Sequence, residues 1–88
     1  MVEFKIKFVK QALKDAVNLK SAGLDGKAKK LLEVISHNPF QNPPPYEKLI
    51  GDLKDLYSRR INIQHRIVYE VFKEEKIVKI IRMWKHYE

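Results

Sequence analysis

Between Val2 and Phe8 the chain alternates: Val2, Phe4, Ile6 and Phe8 share one face, and Glu3, Lys5 and Lys7 share the other. A period of two predicts a strand with one buried side. From Val9 the period lengthens. Val9, Ala12, Leu13, Ala16 and Val17 recur at helical spacing, with Lys10, Lys14 and Asp15 between them and Gly23 as the stop. A second helix is predicted from about Asp25, whose carboxylate can cap free amides. Its stripe is Ala28, Leu31, Leu32 and Ile35, at i, i+3, i+4 and i+7. The stretch from Ser36 through Pro39, Gln41, Asn42 and the run Pro43-Pro44-Pro45 cannot continue that helix. Proline lacks the amide donor and drives its predecessor toward an extended shape. This part reads as a surface loop leading to Glu47.

Three further strands follow, Leu56 to Asn62, His65 to Phe72 and Lys76 to Trp84, separated by turns at Ile63-Gln64 and Lys73-Glu74-Glu75. Val68, Val71, Ile77, Val78, Ile80 and Ile81 are β-branched and suit a pleated, buried surface. The predicted order is β-α-α-β-β-β. Two helices packed on an antiparallel sheet make a two-layer α+β domain. No internal repeat interrupts it, and the triple proline is the single low-complexity feature.

The length of 88 residues fits one domain over residues 1–88. A chain of this size hides only about 60–65% of its unfolded surface, so function must lie on the surface or in a shallow cleft. A two-lobed enzyme around an enclosed cofactor is excluded. There is no cysteine, hence no disulfide framework and no thiolate zinc finger, which suits a reducing compartment. No run approaches the roughly 18 apolar residues of a membrane helix, and the alternating amino end cannot supply a secretory apolar run. A cytoplasmic protein without a membrane partner is expected. Eighteen Lys and Arg against 11 Asp and Glu give a net charge of +7. That excess favours an anionic partner, with nucleic acid ahead of an acidic protein.

Candidate chemistry sits on and around the later strands. Glu47 follows the proline loop, with Lys48 beside it and Lys54 farther on. Arg59 and Arg60 are adjacent, so they point to opposite faces of one strand. Arg66 follows His65 at the start of the next strand, and His86 and Tyr87 lie past the last one. Breaking an RNA phosphodiester needs a base for the 2′-hydroxyl proton, a cation for the phosphate and an acid for the departing oxygen. A carboxylate, an arginine and a histidine supply all three with no metal and no cofactor, and a tyrosine can stack on a base. Each residue also has a plainer reading. Glu47 can be a solvated residue, the arginines can pair with Asp55 or Glu70, and His86 and Tyr87 can be a frayed end. His37 fits a helix end and His65 a turn, while Phe4, Phe8, Phe72 and Trp84 fit the core. Spacing alone describes a small basic α+β domain able to bind RNA.

The blocks Tyr57-Ser58-Arg59-Arg60-Ile61-Asn62 and His65-Arg66-Ile67-Val68-Tyr69, with the terminal His86-Tyr87, resemble the Txe/YoeB family of bacterial addiction-module toxins. These belong to the wider RelE-like ribonuclease group. The resemblance spans nearly the whole chain and is strongest from about Tyr46 onward. It implies a RelE-like fold and a ribosome-dependent mRNA interferase that cuts messenger RNA in the A site of the 70S ribosome. It also implies silencing by a cognate acidic antitoxin, compatible with a homodimer or a heteromeric toxin-antitoxin complex. Carried over by motif, Glu47 is the general base, Arg66 stabilises the phosphate, His86 is the general acid, and Tyr87 places the RNA or completes proton transfer. Arg60, with Arg59, Lys48 and Lys54, is expected to bind RNA.

Two departures from the family pattern stand out. The family commonly ends at the His-Tyr pair, whereas Glu88 follows here. An anion near His86 favours the protonated imidazole and shifts the pH optimum upward, which a rate–pH comparison with a chain ending at Tyr87 tests. Three positions after Glu47 the family often carries a lysine; here Ile50 stands there, leaving Lys48 and Lys54 as the nearby cations. Fold does not fix function. A toxin of the same fold without nuclease activity, of the gyrase-inhibiting type, and a plain RNA-binding module are the alternatives. The first predicts that Glu47, Arg66 and His86 do not form a working set, and the second that His86→Gln barely changes activity, where a nuclease should lose several powers of ten. The lysines on the helices, Lys10, Lys14, Lys27 and Lys30, are read as solvated, with contact to ribosomal RNA the alternative.

Overall fold

The structure, a computed structural model, describes residues 3–49 and 56–84. The elements in chain order are β1 (Lys5–Phe8), α1 (Lys10–Ser21), α2 (Asp25–His37), β2 (Glu47–Lys48), β3 (Leu56–Arg60), β4 (Arg66–Phe72) and β5 (Ile77–Arg82). They form one five-stranded sheet in the order β1-β5-β4-β3-β2 with both helices on one face. The architecture is the expected two-layer α+β arrangement, with two differences. β1 lies parallel to β5, Lys5 opposite Ile77 and Phe8 opposite Ile80, so the sheet is mixed. A two-residue strand, β2, adds to the far edge antiparallel to β3.

The core lies between sheet and helices. Ala12, Leu19, Ala28 and Ile35 come from the helices, and Tyr57, Ile67, Tyr69, Val71, Val78 and Ile80 from the strands. α2 buries the predicted stripe, with Leu31 and Leu32 packed against the core beside Ala28 and Ile35. α1 is turned relative to its expected stripe. Leu13 and Val17 are 54% and 65% exposed, whereas Ala12, Asp15 and Leu19 are buried. Asp15 is tolerated inside because donors meet both carboxylate oxygens. Oδ2 accepts Arg82 Nε at 2.8 Å and the Met83 amide at 3.0 Å, and Oδ1 accepts Gln11 Nε2 at 3.1 Å. Burial alone would raise its pKa, but these hydrogen bonds and the Arg82 charge outweigh it and hold it below the ordinary value.

Gly23 ends α1 as predicted. Its φ of 75° is left-handed, the Leu24 amide donates to Leu19 O at 2.9 Å, and the Gly23 amide donates to Lys20 O at 3.1 Å. That pair of bonds is a Schellman closure. Asp25 opens α2 as its first helical residue. The N-cap position is Leu24, with no side-chain cap, so Asp25 assists through its charge at the positive helix end rather than by capping. Beyond α2, Asn38 Oδ1 accepts the Phe40 amide at 3.0 Å and turns the chain into the proline loop. Between β3 and β4, Asn62 Oδ1 accepts the amides of Gln64 and His65, both at 2.8 Å, which tightens the predicted turn.

Candidate active site on the open face of the sheet

Strand alternation divides β3 between two environments. Tyr57 joins the core on the helix side, and Arg59 shares that side; Ser58, itself buried, and the exposed Arg60 take the side without helices, called the open side below. Register then gathers the open-side partners: Glu47 lies opposite Ser58, and Arg66 lies opposite Arg60. Residues from three strands thus meet in one patch. Arg66 Nη1 donates to Glu47 Oε1 at 2.7 Å and stands 3.5 Å from Ser58 Oγ. Pro45, Tyr46, Glu47, Ser58 and Arg60 line a groove of about 260 Å³ beside the pair.

The two partners differ in freedom. The Arg66 side chain is 19% exposed, which fixes its position, whereas that of Glu47 is 66% exposed. Arg66 Nε is buried and has no hydrogen-bond partner among the described residues. An ion pair so open to water contributes only about 0.2–1 kcal/mol. A phosphate, which accepts two parallel bonds from a guanidinium, can therefore displace the carboxylate at small cost. The displaced Glu47 would remain within reach of the same anion. Arg60, exposed and cross-strand from Arg66, adds a second cation to the groove. Among the described residues, no three His, Asp or Glu side chains gather in a way that could hold a metal ion.

The end of β5 is anchored toward this region. Asp15 holds Arg82 and Met83. Trp84 stacks on His65, with ring centroids 4.0 Å apart and planes 13° apart, and its carbonyl meets His65 Nδ1 at 2.5 Å. A carbonyl only accepts, so Nδ1 carries the proton. His65 is the neighbour of Arg66, which gives this buried residue the structural role its turn position suggested. His86, Tyr87, Lys54, Ile50 and Glu88 lie outside the described residues.

Arg59 departs from its expected role. It is 1% exposed, on the core side of the sheet. Nη1 donates to Pro44 O at 2.5 Å, Nη2 to Pro39 O at 3.0 Å and Gln41 O at 2.8 Å, and Nε to Tyr69 Oη at 3.1 Å. Three of these bonds go to the proline loop and one to Tyr69, and with the side chain buried on the core side the guanidinium does not face the groove. The Tyr69 hydroxyl in turn donates to Pro39 O at 2.8 Å. Burial pushes the Tyr69 phenol above its ordinary value against the opposing pull of Arg59, which keeps that hydroxyl protonated. Lys48 is exposed but lies opposite Tyr57, so its side chain leaves β2 on the side away from Glu47. Ser58 and Tyr46, which the sequence reading passed over as site residues, line the groove. Ser58 was detectable, since it stands two before Arg60 and shares its face.

The chain matches the model of the YoeB-like toxins of bacterial type II toxin-antitoxin systems over residues 8–87. A comparison with curated proteins finds no match. Among solved structures, the YoeB/ParE toxin from Agrobacterium tumefaciens is 27% identical with a TM-score of 0.85, over 96% of this chain and 100% of that one. The YoeB dimer from Staphylococcus aureus is 32% identical with a TM-score of 0.82, over 98% and 100%. The heterotetrameric YoeB-YefM toxin-antitoxin complex of the same organism matches at 32% identity and a TM-score of 0.78, again over 98% and 100%. With a family match that spans nearly its full length and carries both arginine blocks of the site, this chain belongs to the YoeB-like toxins of bacterial type II toxin-antitoxin systems.

Proposed function

We propose that the protein is a ribosome-dependent mRNA endoribonuclease that stops translation by cutting messenger RNA in the A site. The observation that carries this reading is the Glu47–Arg66 pair at 2.7 Å on the open face of the sheet, beside Arg60. When RNA enters, the scissile phosphate takes the place of the Glu47 carboxylate on Arg66. Glu47 then accepts the proton of the neighbouring 2′-hydroxyl, and the 2′-oxygen attacks phosphorus. A 2′,3′-cyclic phosphate forms as the bond from phosphorus to the 5′-oxygen breaks, and that oxygen takes its proton from His86. Arg66 balances the charge that develops on the non-bridging oxygens, Arg60 holds a flanking phosphate, and Tyr87 places the base or completes proton transfer. Base, cation and acid all come from side chains, so the reaction needs no metal.

The anchoring of β5 supports the role of the last residues. Trp84, the last residue described, is held on His65, next to Arg66. Lys54 and Lys48 remain candidates for contact with RNA outside the groove, Lys48 from the reverse side of the edge strand. The partner that silences the protein is an acidic antitoxin, in line with the YoeB-YefM complexes among its structural relatives. A homodimer is in line with the Staphylococcus aureus YoeB dimer. The site of action is the cytoplasm, where ribosomes translate; no helix among the described residues is long and apolar enough to cross a membrane.

Cleavage of a defined mRNA on programmed 70S ribosomes tests the mechanism. Glu47→Gln, Arg66→Ala and His86→Gln are each expected to slow single-turnover cleavage by about 10²- to 10⁴-fold, and the wild-type 5′ fragment should end in a 2′,3′-cyclic phosphate. A stable His86→Gln protein that cuts at the wild-type rate would refute the assignment of the acid.

A further inference from the structure

Glu47 lies on a strand of two residues at the edge of the sheet, with β3 as its one neighbour among the described residues. So short a ladder cannot fix its own register. The loop before it must do so, yet residues 38–46 form neither helix nor strand. What organises this loop is Arg59. Three backbone carbonyls, of Pro39, Gln41 and Pro44, converge on its guanidinium, and Tyr69 Oη braces both Nε and Pro39 O. The ring of Tyr46, the residue before Glu47, lies against the same guanidinium, 5.0 Å from its carbon to the ring centroid. Among the described residues no carboxylate pairs with Arg59. A buried cation without a counterion is costly unless dipoles replace its water, so the loop carbonyls and Arg59 require one another. Arg59 also stands on β3, directly after Ser58, the residue that Glu47 faces.

We propose that Arg59 is the positioning residue of the site: it winds the proline loop around its guanidinium and thereby sets Glu47 opposite Ser58, in reach of Arg66. This rests on the nuclease reading for its catalytic consequence and on geometry for the clamp itself. The two halves of the strand pair divide the work. Arg59 holds the loop from the core side, and Arg60 meets the substrate from the open side.

Arg59→Lys keeps the charge, but its three donors radiate from one nitrogen and cannot span the carbonyls of Pro39, Gln41 and Pro44. Tyr69→Phe removes only the hydroxyl that braces Arg59, and it carries the same test if Arg59→Lys does not fold. Two measurements on the full chain decide. Amide hydrogen exchange is followed across residues 39–48, with β4 and β5 as internal reference. Single-turnover cleavage is followed on programmed ribosomes. Exchange over 39–48 is expected to quicken at least about tenfold in Arg59→Lys while β4 and β5 stay within about twofold. The cleavage rate is expected to fall at least about tenfold with the half-saturating ribosome concentration unchanged within about twofold, because a displaced base costs rate and not binding. Unchanged exchange over 39–48 in both variants would overturn the clamp. A loosened loop with an unchanged cleavage rate would overturn the positioning role. A wild-type protein that fails to cleave, beside variants whose loop loosens, would remove the nuclease reading and leave the clamp on Glu47 standing.

Discussion

Asp15 offers a direct test of how α1 is held to the sheet. Its carboxylate is 1% exposed and accepts three hydrogen bonds, two of them, from Arg82 and the Met83 amide, on the same oxygen. Asparagine is nearly isosteric and can keep its oxygen at that position, while Gln11 turns its amide to face the new NH₂. The bond count survives and the charge does not. Charged hydrogen bonds contribute about 1.5–3 kcal/mol and neutral ones about 0.5–1.5, so Asp15→Asn is expected to cost about 2 kcal/mol. The Arg82 side chain is 33% exposed, and solvent screening keeps the figure from rising further. Asp15→Ala also strands the buried Met83 amide and is expected to cost about 3–5 kcal/mol. For a domain of this size the asparagine variant should melt roughly 8–16 °C lower. Urea titrations should show a lower midpoint at constant slope.

The effect of pH on Asp15 has a definite sign. Its folded pKa lies below that of an ordinary aspartate, so its stabilisation is present above the ordinary value and disappears as pH falls through the folded pKa. The gap between wild type and Asp15→Asn should therefore be full at neutral pH and close as acid protonates the wild-type carboxylate. An Asp15→Ala protein within about 0.5 kcal/mol of wild type, the range of ordinary surface changes, would refute the reasoning.

Gly23→Ala should lower stability by about 1–2 kcal/mol through its left-handed φ alone, because an added Cβ meets nothing within 4 Å; an unchanged urea midpoint would contradict it. Leu19→Ala should cost about 2–5 kcal/mol and Leu13→Ala less than about 0.5, since the first is 1% exposed and the second 54%. The reverse order in thermal melts would mean that α1 packs through its other face. Arg60→Glu should weaken association with programmed ribosomes and flatten the slope of log affinity against log salt by about one. A slope equal to wild type would remove Arg60 from the phosphate contacts.

Much of the fold was readable because local pattern and tertiary burial agree. The Phe4-Ile6 alternation, the Ala28-to-Ile35 stripe, the Gly23 stop and the meander of three strands follow from local pattern and one buried face, whereas Phe8, expected on that face, stays 37% exposed at the end of β1. The parallel pairing of β1 with β5 was not readable, because nothing in either segment specifies so distant a neighbour. β2 escaped notice because two residues carry no period. Asp15 and Arg59 misled for one shared reason: a charged side chain is usually a solvated one, and each of these is buried by partners that sequence proximity does not reveal. Asp15 meets Arg82 from the far end of the chain, and Arg59 meets carbonyls, which have no sequence identity at all. Glu47, Arg60 and Arg66 were named from their motif. Their convergence on one face is a product of register, and Ser58 entered the site by the same route.

The parallel pairing of β1 has a temporal consequence. Lys5 cannot find Ile77 until synthesis has passed almost the entire chain, and contacts so remote in sequence are slow to close. While the nascent polypeptide is still threaded through the ribosome that makes it, the sheet lacks β5, and with β5 the anchor that ties its end to Asp15 and His65. The sheet is thus completed only after its last strand has emerged, and β1 waits without its neighbour until then.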